Sequence, residues 1–259
     1  MTSLRRMCLK FNEFVRNTNE RRNKNSITYN MTNFFLTFLF PVFIVLMAEL
    51  NQGKYPSRLI MFIAGKPMVL VFDIIVSAAI FTALSLLFRK IWRAVAVQSI
   101  VYFMLSITEL FKFGTNGNHL IMTDMKLVKS VKSLTAFAYI KITPRLVIYT
   151  AIVIAYIAAA FWFNPKIKAS FRKSVAPALA CAGSVLCMFF VSAFSNPVYS
   201  FFKVDTTAAD NVFILNEKFE ENNFLAFFMQ TASENLANKL KAPENYNEEA
   251  IENYLGEDG

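Results

Sequence analysis

The chain has 259 residues, of which 55% are hydrophobic and 28 are phenylalanine, and its formal net charge is +9. Its apolar residues form long blocks with almost no charge, which argues against a soluble domain. About 20 helical residues cross a hydrocarbon core of ~30 Å, and lipid offers the backbone no hydrogen-bond partner, so each block should be helical. The basic residues flank these blocks and form no single patch, so nucleic acid is not an expected partner.

Five blocks have the length and apolarity of membrane spans. They run over roughly Met31–Leu50, Met68–Phe88, Ala94–Phe111, Leu146–Phe163 and Val175–Phe194. A charged leader precedes the first block and is too long for a cleavable signal peptide, so we expect an uncleaved anchor. The sequence therefore predicts an all-α membrane protein, a bundle of about five transmembrane helices.

The charge distribution predicts the topology and three regions. Seven basic residues precede the first span, three follow the second and four follow the fourth, which places all three groups in the cytoplasm by the positive-inside rule. From Ser195 onward there are four Lys and twelve Asp or Glu, a net −8, so the rest of the chain carries +17. We predict a basic cytoplasmic leader at 1–30, a five-helix membrane domain at 31–194 and an acidic extracellular connector at 195–259.

The loop between the third and fourth spans predicts an amphipathic helix. Thr123 can cap a helix that begins at Asp124, and an apolar stripe follows with helical spacing. Three basic residues lie off this stripe: Lys126, Lys129 and Lys132. Such a helix can lie in the outer membrane interface, where these lysines are lipid-contact candidates. Simple packing of the helix on the bundle remains the alternative.

Charged residues within spans are costly, which makes each of them a candidate for function. The intramembrane candidates are Asp73, Glu109 and Lys112, and we expect Glu109 and Lys112 to form a local ion pair at i, i+3. Glu49 lies near a span end, from which it can snorkel to the interface. His119, the one histidine, is a weak candidate base or metal ligand. The sequence predicts no catalytic residue and no metal site.

The tail has a helical pattern of its own. Apolar residues over Val212–Leu240 keep helix-compatible spacing, and five aromatic residues in this stretch predict packing on another surface: Phe213, Phe219, Phe224, Phe227 and Phe228. We therefore expect a tail helix that is packed against some other part of the protein.

The order of several short segments resembles a known family. The runs Val97–Ile100, Glu109–Lys112 and Met122–Met125, with the tail runs Asn223–Leu225 and Ala242–Asn247, are similar to the membrane domain of lipoteichoic acid synthase-like proteins. These proteins belong to the sulfatase/alkaline phosphatase superfamily. The resemblance covers most of the chain from about residue 33 onward, and its specificity depends on the combination with five spans and an outward C-terminus.

This resemblance implies a role in cell-envelope polymer synthesis at a bacterial cell membrane. The family carries an extracellular phosphoglycerol transferase domain after the fifth span, with a threonine nucleophile and a divalent metal, and takes phosphoglycerol from phosphatidylglycerol. The sequence stops at Gly259, where that domain would be expected to start, so this chain is assigned no catalytic residue and no cofactor. Expected partners are membrane lipids, including phosphatidylglycerol, and an extracellular sulfatase-like domain, and a homo-oligomer is left open.

Several alternatives remain at this point. The chain is a fragment, a truncated relative or a stand-alone membrane partner of such an enzyme. A different class is a small transporter or flippase component that uses Glu109 and Asp73, although no inverted repeat or matched pair of broken spans supports it. A third is a membrane sensor whose tail binds an extracellular ligand.

Overall fold

The structure is a computed structural model that describes residues 31, 34–52, 56–122, 124, 143–163, 171–207 and 212–237. No strand occurs in these ranges, which confirms the predicted all-α fold. The helices are α1 Phe40–Gln52, α2 Pro56–Gly65, α3 Pro67–Phe88, α4 Ile91–Asn116, α5 Pro144–Phe163, α6 Phe171–Phe190, α7 Ser192–Phe201 and α8 Val212–Ala237.

Each of the five apolar blocks falls on a helix. Among the described residues, three helices are long and apolar enough to cross a membrane, namely α3, α4 over Ile91–Thr115 and α5, while α1 and α6 carry shorter apolar stretches. Residues 34–38 are also helical, and backbone hydrogen bonds continue across the bend at Leu39, from Leu39 N to Phe35 O at 3.0 Å and from Phe43 N to Leu39 O at 2.9 Å. The first predicted span is therefore a bent helix that continues into α1.

Helix α3 lies at the centre of the bundle. It packs against α1, α2, α4, α6 and α8, while α5 packs on the outside of α1 and α4. Large apolar side chains fill the core between these helices, among them Phe40, Phe72, Phe81 and Tyr199. Many apolar side chains on the outer faces are exposed, such as Ile75, Ile100, Met104, Ile148 and Ile154. Lipid is the expected surrounding for such a surface, because water would disfavour it.

Two regions differ from the predicted pattern of spans and loops. Prolines open two helices that follow α1: Pro56 is the first residue of α2 and Pro67 the first residue of α3, where the missing N–H costs nothing. The segment between the first two predicted spans therefore contains a short helix. The fifth apolar block is not one continuous helix, because α6 ends before Val191 and α7 begins after it.

Helix α8 confirms the predicted tail helix and adds a kink. Asn223 has φ 58° and ψ −171°, so α8 consists of two halves, residues 212–222 and 224–237. Every residue from 222 to 233 is buried, and α8 contacts α1, α3, α6 and α7. The predicted packing of the tail aromatics holds for four of the five, while Phe213 is 86% exposed. The described part of the acidic tail is thus packed into the bundle.

Three predicted regions lie outside the described residues. These are the basic leader at 1–30, the amphipathic segment that contains Lys126, Lys129 and Lys132, and the end of the connector at 238–259 with its run Ala242–Asn247.

Candidate functional site

The polar residues of the bundle concentrate where α1 and α4 end and α5 begins. Arg145, at the start of α5, donates a hydrogen bond to the backbone oxygen of Leu50 in α1. The side-chain amide of Asn51 donates to Ser106 Oγ of α4 at 3.0 Å. We call this the Glu49 end of the bundle, and the kink of α8 lies against it.

Glu109 forms a closed cluster just before the end of α4. One carboxylate oxygen lies 2.5 Å from His119 Nδ1, and the other accepts a hydrogen bond from the backbone N–H of Leu120. Glu109 and His119 are 2% and 5% exposed. Gly117, in the left-handed conformation with φ 70°, ends α4 and turns the chain back, which brings His119 to Glu109. Both oxygens of a buried carboxylate are therefore satisfied locally.

Aromatic rings enclose His119 on both faces. The Phe219 ring of α8 stacks on it with centroids 3.6 Å apart and an interplanar angle of 6°, and Phe113 stacks at 4.5 Å. Phe219 also lies under the guanidinium of Arg58, 5.9 Å from the ring centroid. The histidine thus joins α4 to the first half of the tail helix, and its ring faces are not accessible to a substrate.

Lys112 corrects one expectation from the sequence. It does not pair with Glu109: its ammonium lies 2.5 Å from Asp124 Oδ2 and donates to the backbone oxygen of His119 at 2.6 Å. Asp124 also accepts the N–H of Ile121 at 2.8 Å. The tight turn after α4 brings these partners closer than the i, i+3 neighbour. The candidate charges therefore belong to two separate pairs, Glu109 with His119 and Lys112 with Asp124.

Glu49 corrects a second expectation. Its side chain does not snorkel to an interface, because the residue is only 6% exposed and its Oε1 accepts a hydrogen bond from Phe224 N at 3.1 Å. The kink at Asn223 restarts α8 at Phe224, and the first N–H groups of a helix have no partner inside it. A carboxylate at the positive end of the helix dipole satisfies them and is stabilised there.

Asp73, in the second turn of α3, faces the same restarted helix. It is 0% exposed, and neither carboxylate oxygen has a hydrogen-bond partner among the described residues. The backbone amide of Ala226 faces it without meeting hydrogen-bond geometry, and the charge of Glu49 acts on it from α1. A buried carboxylate without a partner is unusual, since ionised groups are costly to desolvate.

Polar side chains of α3 and α4 lie near Asp73. Ser77 lies one helical turn further along α3 and donates to the backbone oxygen of Pro41 at 3.3 Å. The Gln98 amide of α4 donates to Ser77 O at 3.0 Å and to Ser77 Oγ at 2.9 Å. Tyr102, one turn after Gln98, is 5% exposed and interacts with Ser77, Gln98 and Asp73. We call Asp73, Ser77, Gln98 and Tyr102 the Asp73 cluster.

A small pocket lies beside the kink. Its volume of about 10 Å³ has room for about one water molecule, and its lining includes Glu49, Gln52, Arg58, Phe219 and Asn223. Both amide atoms of Gln52 and the Nδ2 of Asn223 are buried without a hydrogen-bond partner among the described residues. The pocket is therefore suited to a bridging water and is too small for a substrate.

Further contacts hold α8 against the Glu49 end. Glu220 lies 3.4 Å from Arg58 of α2, and Glu221 forms an ion pair with Lys66. The Asn216 amide donates to Gly117 O at 3.2 Å. Lys218 is buried, pairs with Glu234 at 2.8 Å and donates to the backbone oxygen of Thr207 at 2.5 Å. The tail helix is thus fixed to α2 and to the turn after α4 by charged as well as aromatic contacts.

The structure places the polar candidates Asp73, Glu109 and Lys112 at buried or partly buried positions, and sequence reasoning missed their partners. Gln98 and Tyr102 could have been found, because each is a polar group inside an apolar block. The kink at Asn223 had no recognisable signal. Within the described ranges, no three His, Cys, Asp or Glu side chains are grouped so that they could hold a metal ion.

The all-helical fold and the long apolar helices define the chain as an all-α membrane protein. Comparison with protein families, with curated proteins and with solved structures finds no significant match. The family resemblance of the short segments therefore stays a hypothesis.

Proposed function

We propose that this chain is the membrane-anchoring and lipid-positioning domain of a lipoteichoic acid synthase-like phosphoglycerol transferase of a bacterial cell membrane. In this proposal the chain performs no chemistry itself. It fixes the tail helix at the membrane surface, and the tail leads to an extracellular sulfatase-like domain that uses phosphatidylglycerol. The short runs that resemble this family support the proposal, since three of them fall at the Glu49 end or in α8.

One observation carries the proposal: the tail helix is locked to the end of the bundle. The His119 ring stacks on Phe219, and Glu49 accepts a hydrogen bond from the N–H of Phe224. Two ion pairs join α8 to α2 and to Lys66. A tail that only trailed from the last span would need none of these contacts. A connector that holds a following domain in one orientation would need them, because orientation relative to the lipid surface determines which substrate atoms it can reach.

The orientation of the chain is part of the proposal. The basic leader and the basic loops favour a cytoplasmic N-terminus, which makes the Glu49 end and the tail extracellular. Phe213 is exposed on α8 and makes a suitable labelling position. With Phe213→Cys in a background in which the native cysteines are replaced by serine, a membrane-impermeant maleimide should label intact cells. Labelling only after the cells are permeabilised would contradict the orientation.

The lipid-positioning role rests on the three lysines Lys126, Lys129 and Lys132. They lie two, five and eight residues after Asp124 in the sequence, and Asp124 is anchored to the Glu49 end by Lys112. Cations at an interface attract anionic headgroups by about 1 kcal/mol each. Replacing all three by Gln should reduce binding of the purified chain to phosphatidylglycerol vesicles severalfold and leave binding to phosphatidylcholine vesicles unchanged. Equal binding of both forms to phosphatidylglycerol would refute this role.

The test of the whole proposal begins with the gene. The reading frame past Gly259 and the neighbouring genes should encode a sulfatase-type domain, fused or adjacent. Membranes that contain the chain together with that domain should release diacylglycerol from fluorescent phosphatidylglycerol. Phe219→Ala should lower this release by removing the ring that stacks on His119, whereas Phe213→Ala, which changes an exposed ring of the same helix, should not.

Two results would decide against this function. The first is the absence of a sulfatase-type domain from both the reading frame and its neighbours. The second is full release of diacylglycerol by the Phe219→Ala protein at normal membrane abundance, which would show that the locked tail is not needed.

One observation favours the transporter alternative. Asp73 is a buried carboxylate without a partner among the described residues, and such residues mark ion or proton pathways in membrane proteins. Transport of a solute by proteoliposomes that contain the chain alone, abolished by Asp73→Asn and by Glu109→Gln, would favour this alternative over the anchoring function.

A further inference from the structure

The turn between α3 and α4 carries three basic residues. Arg89 follows the last residue of α3, Lys90 precedes the first residue of α4, and Arg93 lies in the first turn of α4. Arg89 and Arg93 are exposed, and Lys90 is partly exposed. Because α4 ends at the Glu49 end of the bundle, this turn lies at the opposite end. We call residues 89–93 the basic turn.

The helices around the basic turn supply no carboxylate to balance its charge. The sequence has no Asp or Glu between Asp73 and Glu109, and each of these lies about 24 Å from the turn along its helix, at a rise of 1.5 Å per residue. Helices α5 and α6 contain no acidic residue. The ion pairs among the described residues include neither Lys90 nor Arg93. The counter-charge of these two cations therefore comes from outside the described helices.

Aromatic contacts position one of these cations. The guanidinium of Arg93 lies 5.7 Å from the ring centroid of Trp92, close enough for a cation–π interaction. The Trp92 ring in turn packs on Phe161 in the last turn of α5, with centroids 5.1 Å apart and an interplanar angle of 87°. Tryptophan is enriched where a membrane meets water, so Trp92 indicates that the basic turn lies at the level of the lipid headgroups.

An exposed apolar stripe of α4 begins at Arg93. Val97, Ile100 and Met104 follow Arg93 at i+4, i+7 and i+11, which places all four side chains on one face of the helix. The three apolar residues are 37%, 59% and 59% exposed. The stripe is about 16 Å long, which is about half of a hydrocarbon core of ~30 Å. Its length and its charged end match one lipid in one leaflet.

We propose that the basic turn binds the headgroup phosphate of an anionic phospholipid, whose acyl chains lie along the exposed face of α4. Arginine can bind a phosphate through two parallel hydrogen bonds, and lysine binds it as a point charge. Clustered cations beside a membrane-spanning helix favour an anionic lipid over a zwitterionic one. A free phosphate ion would balance the charges but would leave the apolar stripe uncovered. The inference does not depend on the proposed transferase, because it concerns residues that the transferase proposal does not use.

Trp92 itself can report which lipid lies beside it. The chain has two tryptophans, so Trp162→Phe leaves Trp92 as the single fluorophore, within the basic turn. The purified full chain is reconstituted in mixed bilayers of phosphatidylglycerol and phosphatidylcholine, with bromine on the acyl chains of one of the two lipids at a time. Bromine quenches a neighbouring tryptophan, so the two quenching curves give the relative binding constant of the two lipids at this position.

We expect a clear preference for the anionic lipid. Phosphatidylglycerol should bind beside Trp92 at least about tenfold more strongly than phosphatidylcholine at low ionic strength. The preference should fall as NaCl is added, because salt screens exposed charges. Replacing Arg89, Lys90 and Arg93 together by Gln should reduce the ratio of binding constants to about one, since it removes all three cations. Arg93→Lys keeps the charge and loses the two parallel hydrogen bonds, so its ratio should be intermediate.

A matched pair of variants separates lipid binding from fold stability. Arg89 and Lys203 are both exposed and both left-handed, with φ 56° and 57°, a conformation that glycine adopts at lower cost. Lys203 lies at the Glu49 end, because the ring of the preceding Phe202 packs on Phe72 near the start of α3. Neither Arg89→Gly nor Lys203→Gly should lower the thermal midpoint. Only Arg89→Gly should weaken the lipid preference, by about fivefold for the loss of one cation.

Several outcomes would overturn the site. Equal binding of both lipids beside Trp92 would show that the basic turn does not select a headgroup. A preference that persists in the triple Gln variant would place the anionic lipid elsewhere. Equal losses in Arg89→Gly and Lys203→Gly would show that net charge alone attracts the lipid. Quenching by neither lipid would show that protein, such as a second copy of the chain, covers the stripe.

Discussion

Two carboxylates buried at similar exposure in neighbouring helices have opposite surroundings. Glu109 in α4 is 2% exposed and has a partner on each oxygen, His119 and the Leu120 backbone. Asp73 in α3 is 0% exposed and has a partner on neither oxygen among the described residues. Burial alone therefore does not mark a site of function, and the number of satisfied oxygens separates the two cases.

The origin of the partners explains the difference. Those of Glu109 lie 10 and 11 residues further along the chain, in the turn that ends α4, so the cluster closes as that turn forms. The neighbours of Asp73 come from α4 and from α8, which are distant in sequence. Glu109 therefore stabilises local structure at the end of α4. Asp73 lies where separate elements meet, and ligands are usually bound at such places.

The largest expected effect tests this comparison directly. Glu109→Ala leaves His119 Nδ1 and the Leu120 N–H buried without a partner, so it should lower the free energy of unfolding by about 3–5 kcal/mol. Asp73→Asn removes a carboxylate that has no hydrogen-bond partner among the described residues, so it should cost less than about 1 kcal/mol or stabilise the chain. Unfolding of both variants in mixed micelles, followed by circular dichroism, measures the two values.

A conservative variant controls for lost packing at the same position. Glu109→Gln keeps the shape of the side chain and can still accept one hydrogen bond, so its cost should lie between that of Glu109→Ala and zero. Equal costs for Glu109→Ala and Asp73→Asn would remove the distinction between the two carboxylates.

The kink of α8 at Asn223 provides a second test with a smaller expected effect. Here the substitution should raise the free energy of unfolding and not lower it. Asn223 has φ 58° and ψ −171°, a conformation that costs a non-glycine residue about 1–3 kcal/mol. Its Nδ2 has no partner among the described residues, so little hydrogen bonding is lost on truncation. Asn223→Gly should therefore raise the free energy of unfolding by about 1 kcal/mol, after the entropy cost of glycine in the unfolded chain is subtracted.

The neighbouring asparagine is the matched control. Asn222 has helical geometry, and its amide bonds both backbone groups of Asp205, at 2.6 and 2.7 Å. Asn222→Gly should lower the free energy of unfolding by more than about 1 kcal/mol, because it loses those bonds and helix propensity. If Asn223→Gly destabilises the chain as much as Asn222→Gly does, the kink at Asn223 is not strained.

These residues show how much of the structure could be predicted from the sequence. The apolar blocks and the periodic aromatics predicted the bundle helices and α8, because burial in lipid or in a core selects residues by period and length. The sequence also identified Glu109 and Lys112 as candidates, but it paired them with each other because only local spacing could be used. The stacking of Phe219 on His119, 100 residues apart, and the kink at Asn223 depend on tertiary packing. Local spacing therefore predicts helices but not the partners of buried charges.

The smallest expected effect concerns a charge outside the membrane-spanning helices. Asp205 Oδ1 accepts the N–H of Thr207 at 2.9 Å and its hydroxyl at 2.6 Å, in the connector before α8. Burial raises the pKa of Asp205, but these hydrogen bonds and the charges of Lys218 and Lys66 outweigh it and hold the pKa below its ordinary value. Asp205 therefore differs from both buried carboxylates. It has hydrogen-bond partners, as Glu109 does, but it remains partly open to water.

The sign of the pH dependence follows from this lowered pKa. The stabilisation by Asp205 is fully present above the pKa of the unfolded chain, about 3.9, and is lost as pH falls through the lower pKa of the folded state. The difference in free energy of unfolding between the unaltered chain and Asp205→Asn should be constant from about pH 5 to 8, at no more than about 1 kcal/mol because the group is partly exposed, and should shrink below about pH 4. Glu217→Gln, at an exposed position, is the control for general charge effects. A difference that grows on acidification would mean that the hydrogen bonds at Asp205 favour its protonated form, and partner geometry would then not predict how the carboxylates of this protein behave.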